Sequence, residues 1–423
     1  MSEKKTILII SDHPMAPSGV GIQTKYVVNA LLRTGKYKVI CLGGAVKHPD
    51  YEPQVITDPE SKWEDGDWVV HPVDGYGNAD IIRSIMWTKK PVALWFMTDP
   101  RFYPWLWQIE NEIRPNIPMI YYHVWDNYPL PMFNKKWYDA TDVIASISKV
   151  THDLVSKVSP DVENHYVPHA VDSKYFKKLP TTVVEKFKKE NFPSERKFCV
   201  FWNNRNARRK HTGTLIHWFN KFAEDVGPEN VRLIMHTDPK DPNGQDIEAM
   251  LHDYGITDGR IVLSTQKMPP EGLSLLYNSV DCTINISDAE GFGLATLESL
   301  ACGTPIIVNM TGGLQEQVTD GEEWFGIGLE PAAKAVIGSQ NVPYIYEDRL
   351  SEEQVVGALK TLYNMSPEER DEMGQKGIQH VQTNYNFENF EQNWVELIED
   401  ILERHGSWDT RKGYKAWELQ EIA

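Results

Sequence analysis

Residues 287–305 read SDAEGFGLATLESLACGTP. The run before them, DCTINIS (281–287), has the apolar and β-branched character of a short buried strand. The run LATLESLAC (294–302) has the composition of a helix. Gly291 and Gly293 permit a tight loop between the two. Strand, glycine loop and helix in succession form one βα unit of an open parallel sheet, with the amides at the helix start turned toward the loop. Two glutamates frame that loop. Glu290, at the strand's mouth, is placed to accept a hydroxyl hydrogen bond or to stabilise developing positive charge. Glu298, in the helix, is placed to accept from a second pair of hydroxyls, such as a ribose diol. Singly, Glu290 also reads as a helix cap favoured by the dipole, and Glu298 as a solvent-facing helix residue.

Working outward, the same alternation recurs along the chain. TILIISD (6–12) leads into the loop HPMAPSGVGIQ, a helical stretch from about Thr24 to Arg33, and a strand at YKVICLG (37–43). Short apolar runs follow at 67–72, 91–99, 118–125, 142–148 and 164–172. A second series opens with KFCVFWNN (197–204) and continues at 231–238, 260–266, 281–287 and 304–309. A charged stretch around 178–196 separates the two series. We therefore expect an α/β chain of two Rossmann-like domains, 1–178 and 179–385. A helical tail, 386–423, carries Phe387, Phe390, Trp394, Leu397 and Ile398 at the three- and four-residue spacing of a core-packing face.

Composition narrows the class. At 423 residues the chain exceeds what one core serves, and its 41% apolar content is that of an ordinary globular α/β protein. The start MSEKKTILII runs from charged residues straight into a strand, without the pattern of a signal peptide, and no apolar run is long enough to insert in a membrane. Cys41, Cys199, Cys282 and Cys302 lack CxxC spacing and read as buried thiols of a reducing compartment, so a cytoplasmic location is expected. The net charge of −17 is uneven. The first 178 residues carry 20 Lys and Arg against 21 Asp and Glu, a net −1, which leaves −16 for the remainder. The first half therefore stays open to an anionic partner.

Two further loops have the chemistry of phosphate recognition. SGVG (18–21) follows the first strand and opens a helix, with Gly19 and Gly21 allowing backbone amides to approach a ligand. The dinucleotide fingerprint fails at its third glycine, where Thr24 stands, and this disfavours an NAD enzyme. FWNNRNARRKH (201–211) follows the first strand of the second series, where ligands bind in such sheets. Of its cations, Arg205 and Lys210 are the favoured grips for a leaving diphosphate, against the plain reading of a solvated basic face.

Taken together, EGFGLATLESLACGTPIIV (290–308) and TGGLQE (311–316) resemble the signature of retaining glycosyltransferases of family 4, which have the GT-B fold. The likeness runs in order through SGVG, MIYYHVWD (119–126), TDVIASIS (141–148), VPHAVD (167–172) and RNARRK (205–210), spanning about residues 7–315. It implies two Rossmann-like domains facing across a cleft, with the C-terminal helix crossing back to the first. It implies a nucleoside-diphosphate sugar as donor, UDP-sugar favoured, transfer to an acceptor hydroxyl with retention, and no cofactor or metal. By the same resemblance, Arg205 and Lys210 would hold the diphosphate and Glu290 the transferred sugar. The backbone of Gly291, Phe292, Gly293 and Leu294 would support sugar and phosphate, and Glu298 the ribose. His123 would be the acceptor-side histidine near the sugar. His169 lies in VPHAVD, where the family has PNGVD, and Ala170 replaces that motif's glycine. The segment 326–349 has no counterpart in the family pattern.

Other features keep alternatives in view. Asp99 is a second candidate base for the acceptor hydroxyl. Glu64–Asp67 (EDGD) contains Asp-x-Asp but reads as a polar turn rather than a metal site. Residues 87–137 hold Trp87, Trp95, Trp105, Trp107, Trp125 and Trp137, which suit core packing or stacking on sugars and bases. A weaker likeness, to virus-encoded glycosyltransferases that modify hydroxymethylated DNA bases, makes such DNA one acceptor class beside a glycan or small molecule. An epimerase or phosphorylase of the same fold, and a non-catalytic nucleotide-sugar-binding protein, are the rival functions. Donor sugar and oligomeric state are not legible.

Overall fold

The computed structural model describes residues 3–57, 63–192 and 196–416. Residues 193–195 of the charged stretch and the last seven residues of the tail lie outside the described residues. The chain divides into two compact units, Met1–His169 with Ser339–Pro343 and Glu388–Ala423, and Ala170–Gly338 with Tyr344–Phe387.

The first unit is built on eight strands: β1 (Lys5–Asp12), β2 (Tyr37–Gly44), β3 (Gln54–Val55), β4 (Trp68–Pro72), β5 (Ala93–Met97), β6 (Met119–His123), β7 (Val143–Ser146) and β8 (Glu163–Tyr166). They lie in the order β3-β4-β2-β1-β5-β6-β7-β8, and all pairs are parallel except β3–β4. Ile7 to Ile10 of β1 are fully buried, as expected of a central strand covered on both faces. The helix after β1 runs from Gly19 to Arg33, five residues earlier than the periodicity suggests. Ser18 caps it by accepting from the Gly21 amide, so the glycine loop is itself the first helical turn.

The tail helix Phe387–His405 lies, but for its first residue, in this unit. Its Trp394 is fully buried, edge-on to Trp95 and Tyr122 with ring centres 5.7 and 4.7 Å away. Trp95, Trp107 and Trp125 are likewise core residues, whereas Trp87 is 84% exposed.

The second unit has β9 (Phe198–Asn203), β10 (Val231–His236), β11 (Ile261–Ser264), β12 (Cys282–Asn285), β13 (Ile306–Asn309) and β14 (Gly326–Leu329) in the all-parallel order β11-β10-β9-β12-β13-β14. This is the doubly wound arrangement, and its strand order reverses between β9 and β12, where the crevice for a ligand opens beyond the strand ends. The unaligned segment 326–349 supplies β14 and an antiparallel hairpin of β15 (Ala333–Ile337) and β16 (Ile345–Arg349). The four cysteines are buried and unpaired, and burial pushes Cys41 and Cys302 up to about 12. Among the described residues, no helix is long and apolar enough to cross a membrane.

Candidate functional site

The loops at the ends of β9 and β12 bring opposite charges together. After Asn203 the chain makes a 3-10 turn at Arg208–Lys210 and enters the helix Thr212–Val226. After Asn285 it passes Asp288 and Glu290 into the helix Leu294–Ala301. Lys210, a buried lysine, makes a short ion pair with Glu290 Oε2, and Arg209 reaches the same oxygen at 3.4 Å. Arg209 also donates to the Ala289 carbonyl at 2.6 Å. Burial pushes the Glu290 carboxyl upward, but Lys210 and Arg209 outweigh it and hold the group down at about 2. Glu290 is thus an anion seated on Lys210, one of the two cations expected to grip phosphate, and on Arg209, which was not.

Arg205 is paired with a different carboxylate. It donates to Asp241 through Nε at 2.6 Å and Nη2 at 3.2 Å, which holds the Asp241 carboxyl well below the usual range. Composition could not separate these arginines, because the turn at 208–210 decides which one faces the loop.

The glycine loop is fixed by its surroundings. Gly293 has φ +92°, and a Cβ there would stand 2.5 Å from Leu314 Cδ2. Gln317, fully buried, donates to the carbonyls of Phe292 at 2.8 Å and Gly293 at 3.2 Å, and accepts from Thr296 Oγ1 at 2.7 Å. The Glu290 carbonyl accepts from the Gly313 amide at 3.1 Å. The first bond of the following helix runs from Leu297 N–H to Gly293 O, so the amides of Leu294 to Thr296 precede the ladder, at the positive end of the helix. Gly291 and Phe292 are buried, with Phe292 edge-on to Tyr385 at 5.7 Å.

Glu298 accepts from the Tyr277 hydroxyl at 2.7 Å, which in turn accepts from Asn203 Nδ2 at 2.8 Å at the end of β9. The residue keeps some exposure, yet desolvation of its carboxyl outweighs the Tyr277 bond and raises it to about 7. Tyr277 and Asn203 carried no signal in the sequence.

The remaining candidates lie in the first unit. Gly21 packs so closely that a Cβ would meet His13 O at 2.7 Å and Ala16 O at 2.9 Å, while Gly19 is exposed at the helix start. Ser18 Oγ also donates to Asp12 at 2.5 Å, and Asp12 accepts from Tyr76 at 2.8 Å. His123, at the end of β6, is fully buried, with Nε2 2.7 Å from the Tyr138 hydroxyl; burial lowers it to about 3, so it is neutral. His169 is buried with Nδ1 2.6 Å from the Tyr122 hydroxyl, and burial lowers it likewise to about 3. Asp99 caps the turn Pro100–Phe102 by accepting from the Arg101 amide at 2.9 Å, and pairs with the Arg101 side chain at 2.9 Å. The Asp-x-Asp turn sits at the other end of the sheet's strands, where Asp67 pairs with Lys4 at 2.5 Å.

Residues 183–380, most of the second unit, match the family described as Glycosyl transferases group 1. The whole chain resembles the sucrose-phosphate synthase of Thermosynechococcus elongatus with a TM-score of 0.74 at 18% identity, covering 95% of this chain and all of that one. The fold is GT-B. HepE of Anabaena, solved in complex with UDP-glucose, has the same GT-B architecture at a TM-score of 0.66 and 11% identity, covering 94% of this chain and all of that one. In sequence, 90 residues are 40% identical to the D-inositol 3-phosphate glycosyltransferase of Acidothermus cellulolyticus, 21% of this chain and 20% of that protein. The match therefore spans about a fifth of that relative's length. The GT-B fold and the group 1 region place β9 and β12, with their charged loops, inside the matched segment.

Proposed function

We propose that the protein is a retaining glycosyltransferase that moves a sugar from a nucleoside-diphosphate sugar, UDP-sugar first among them, to an acceptor hydroxyl. The observation that carries this reading is the Lys210–Arg209–Glu290 cluster at the β9/β12 crevice, within a segment matching group 1 glycosyl transferases. The complex of HepE with UDP-glucose supports the choice of nucleotide.

In this reading the second unit takes the donor. Lys210 and Arg205, with Arg209 added from the geometry, meet the diphosphate, and the amides at Phe292–Leu294 face it from the helix end. An arriving diphosphate replaces Glu290 on Lys210, and the released carboxylate turns to the sugar hydroxyls. Glu298, beside Tyr277, accepts from the ribose diol. The glycine turn at Gly19 and Gly21, with His169, completes the donor contacts, and the first unit with His123 and Asp99 is the acceptor side. The acceptor oxygen forms its bond to the anomeric carbon as the bond to the diphosphate breaks on the same face. The departing phosphate oxygen takes the acceptor's proton, while lysine, arginine and helix amides meet its charge in place of a metal.

A donor screen that follows released nucleotide in the presence of candidate acceptors tests the proposal. Transfer that survives both Glu290→Ala and Lys210→Ala at saturating donor would overturn it. For the acceptor, salt-dependent binding to duplex DNA containing hydroxymethylcytosine supports a DNA base, and its absence at low salt points to a glycan or small molecule.

A further inference from the structure

His211 follows Lys210 directly and closes the basic loop before the helix Thr212–Val226. Its backbone lies in the left-handed region, at φ 54° and ψ 41°. An L side chain other than asparagine or aspartate enters this region at a cost that glycine avoids. The imidazole Nε2 makes a short hydrogen bond to Asp288 Oδ1, across 77 residues of sequence. Asp288 is 1% exposed and pinned on both sides. Its amide donates to the Arg209 carbonyl at 2.9 Å, and its carbonyl accepts from the Asp348 amide of β16 at 3.0 Å. The same hairpin presents buried Glu347, which pairs with Arg208 and, at 2.5 Å, with Arg349. Asn309 donates to both the Ser287 and Asp348 carbonyls, at 2.9 and 2.5 Å.

Two side-chain links therefore join the basic loop to the loop after β12, Lys210 and Arg209 on Glu290 and His211 on Asp288, beside the bonds of Arg209 to the Asp288 amide and the Ala289 carbonyl. Only the first link uses groups that a bound anion would claim.

We infer that His211 is a positioning residue: with Asp288, buttressed by the β15–β16 hairpin, it clamps the basic loop in place when a diphosphate displaces Glu290 from Lys210. The inference rests on the reading of this crevice as a nucleotide-sugar site. It accounts for a histidine at a backbone position suited to glycine, because the imidazole supplies the hydrogen bond that glycine lacks.

The experiment compares the parent chain with His211→Gly and His211→Asn. Three readouts are taken: melting temperature, UDP affinity by calorimetry, and amide hydrogen exchange of residues 204–211. His211→Gly relieves the backbone strain but leaves the buried Asp288 carboxylate without its imidazole partner, so the melting temperature is expected to fall modestly while the fold is kept. It should also speed exchange in the loop and weaken UDP about tenfold, the loss of one charge-assisted hydrogen bond. In steady state the loss falls on the donor KM rather than on kcat. His211→Asn, which tolerates the left-handed conformation and keeps a donor for Asp288, should recover most of the affinity. A His211→Gly variant with the parent's loop exchange and UDP affinity overturns the inference. A parent that binds no nucleoside diphosphate instead overturns the functional reading, while loop exchange in His211→Gly still decides whether the clamp exists.

Discussion

The two sheets reverse strand order in the same way, between β1 and β5 in the first unit and between β9 and β12 in the second, yet the two mouths are furnished differently. At the first, the carboxylates are satisfied by neutral hydroxyls or within their own turn. Asp12 is held by Ser18, six residues on, and by Tyr76, while Asp99 caps its own turn beside Arg101. At the second, partners come from far along the chain: Lys210 meets Glu290, His211 meets Asp288, and Arg208 meets Glu347. A hydrogen-bonded turn has little to offer a charged ligand without breaking. A lysine already neutralised by a carboxylate exchanges one anion for another. Topology supplies a crevice in both units, and the side chains of the second are the ones that suit the anion site proposed there.

Removing the exchangeable cation is the strongest way to break this contrast. Lys210→Ala should lower the transfer rate about 100- to 1000-fold, the scale seen when one donor to a developing anion is lost. Measurement at saturating donor separates this from weaker binding. Glu290→Gln sharpens the contrast in the opposite sense. Transfer should fall about 100-fold as the sugar loses its carboxylate, while UDP should bind several-fold tighter because Lys210 and Arg209 no longer face a competing anion. Calorimetry of UDP on the two proteins checks this, and weaker binding by the variant would remove Glu290 as a stand-in for phosphate.

Much of the scaffold was legible because central strands of parallel sheets are near-continuous apolar runs, as ILII at 7–10 and FCVFW at 198–202 show. The glycine loop was legible because a βα turn requires Gly291 and Gly293. What escaped depends on distance or on local turn geometry. Arg209 and Arg205 look alike in sequence, and only the 3-10 turn at 208–210 turns Arg209 toward Glu290. Arg208 and Glu347 are 139 positions apart, and of the hairpin strands AKAVI is short and largely exposed while IYEDR is mostly charged, so neither reads as a buried strand. The first helix begins at Gly19 because the Ser18 hydroxyl caps it, a signal hidden inside what looks like a ligand loop.

The sealed character of the first mouth is tested by Gly21→Ala. The new Cβ would stand within 3 Å of two backbone carbonyl oxygens, His13 O and Ala16 O, neither of which can swing aside as a side chain does. Stability should drop by about 1–3 kcal/mol, the usual penalty for overpacking a tight site. Urea unfolding of parent and variant measures the change. An unchanged midpoint would mean that the turn yields, and the first mouth would then be as adaptable as the second.

The smallest effect concerns the protonation of Glu298. Burial raises its carboxyl to about 7, above the ordinary glutamate value of 4.5. A raised acid favours the folded state below the unfolded value, and this contribution is lost as pH climbs through 7. A ribose diol donates hydrogen bonds, so it prefers the carboxylate, and nucleotide binding must pull the group's pKa down. UDP affinity is therefore expected to rise by about tenfold between pH 5.5 and 7.5, tenfold for each unit by which the bound pKa falls. Proton release should accompany binding near pH 6. Calorimetry in two buffers of different ionisation heat counts that proton directly. In Glu298→Gln both the release and this part of the pH dependence should vanish. If the proton release persists in that variant, it belongs to another group in the second mouth, and the ribose contact must be sought away from the Tyr277–Glu298 pair.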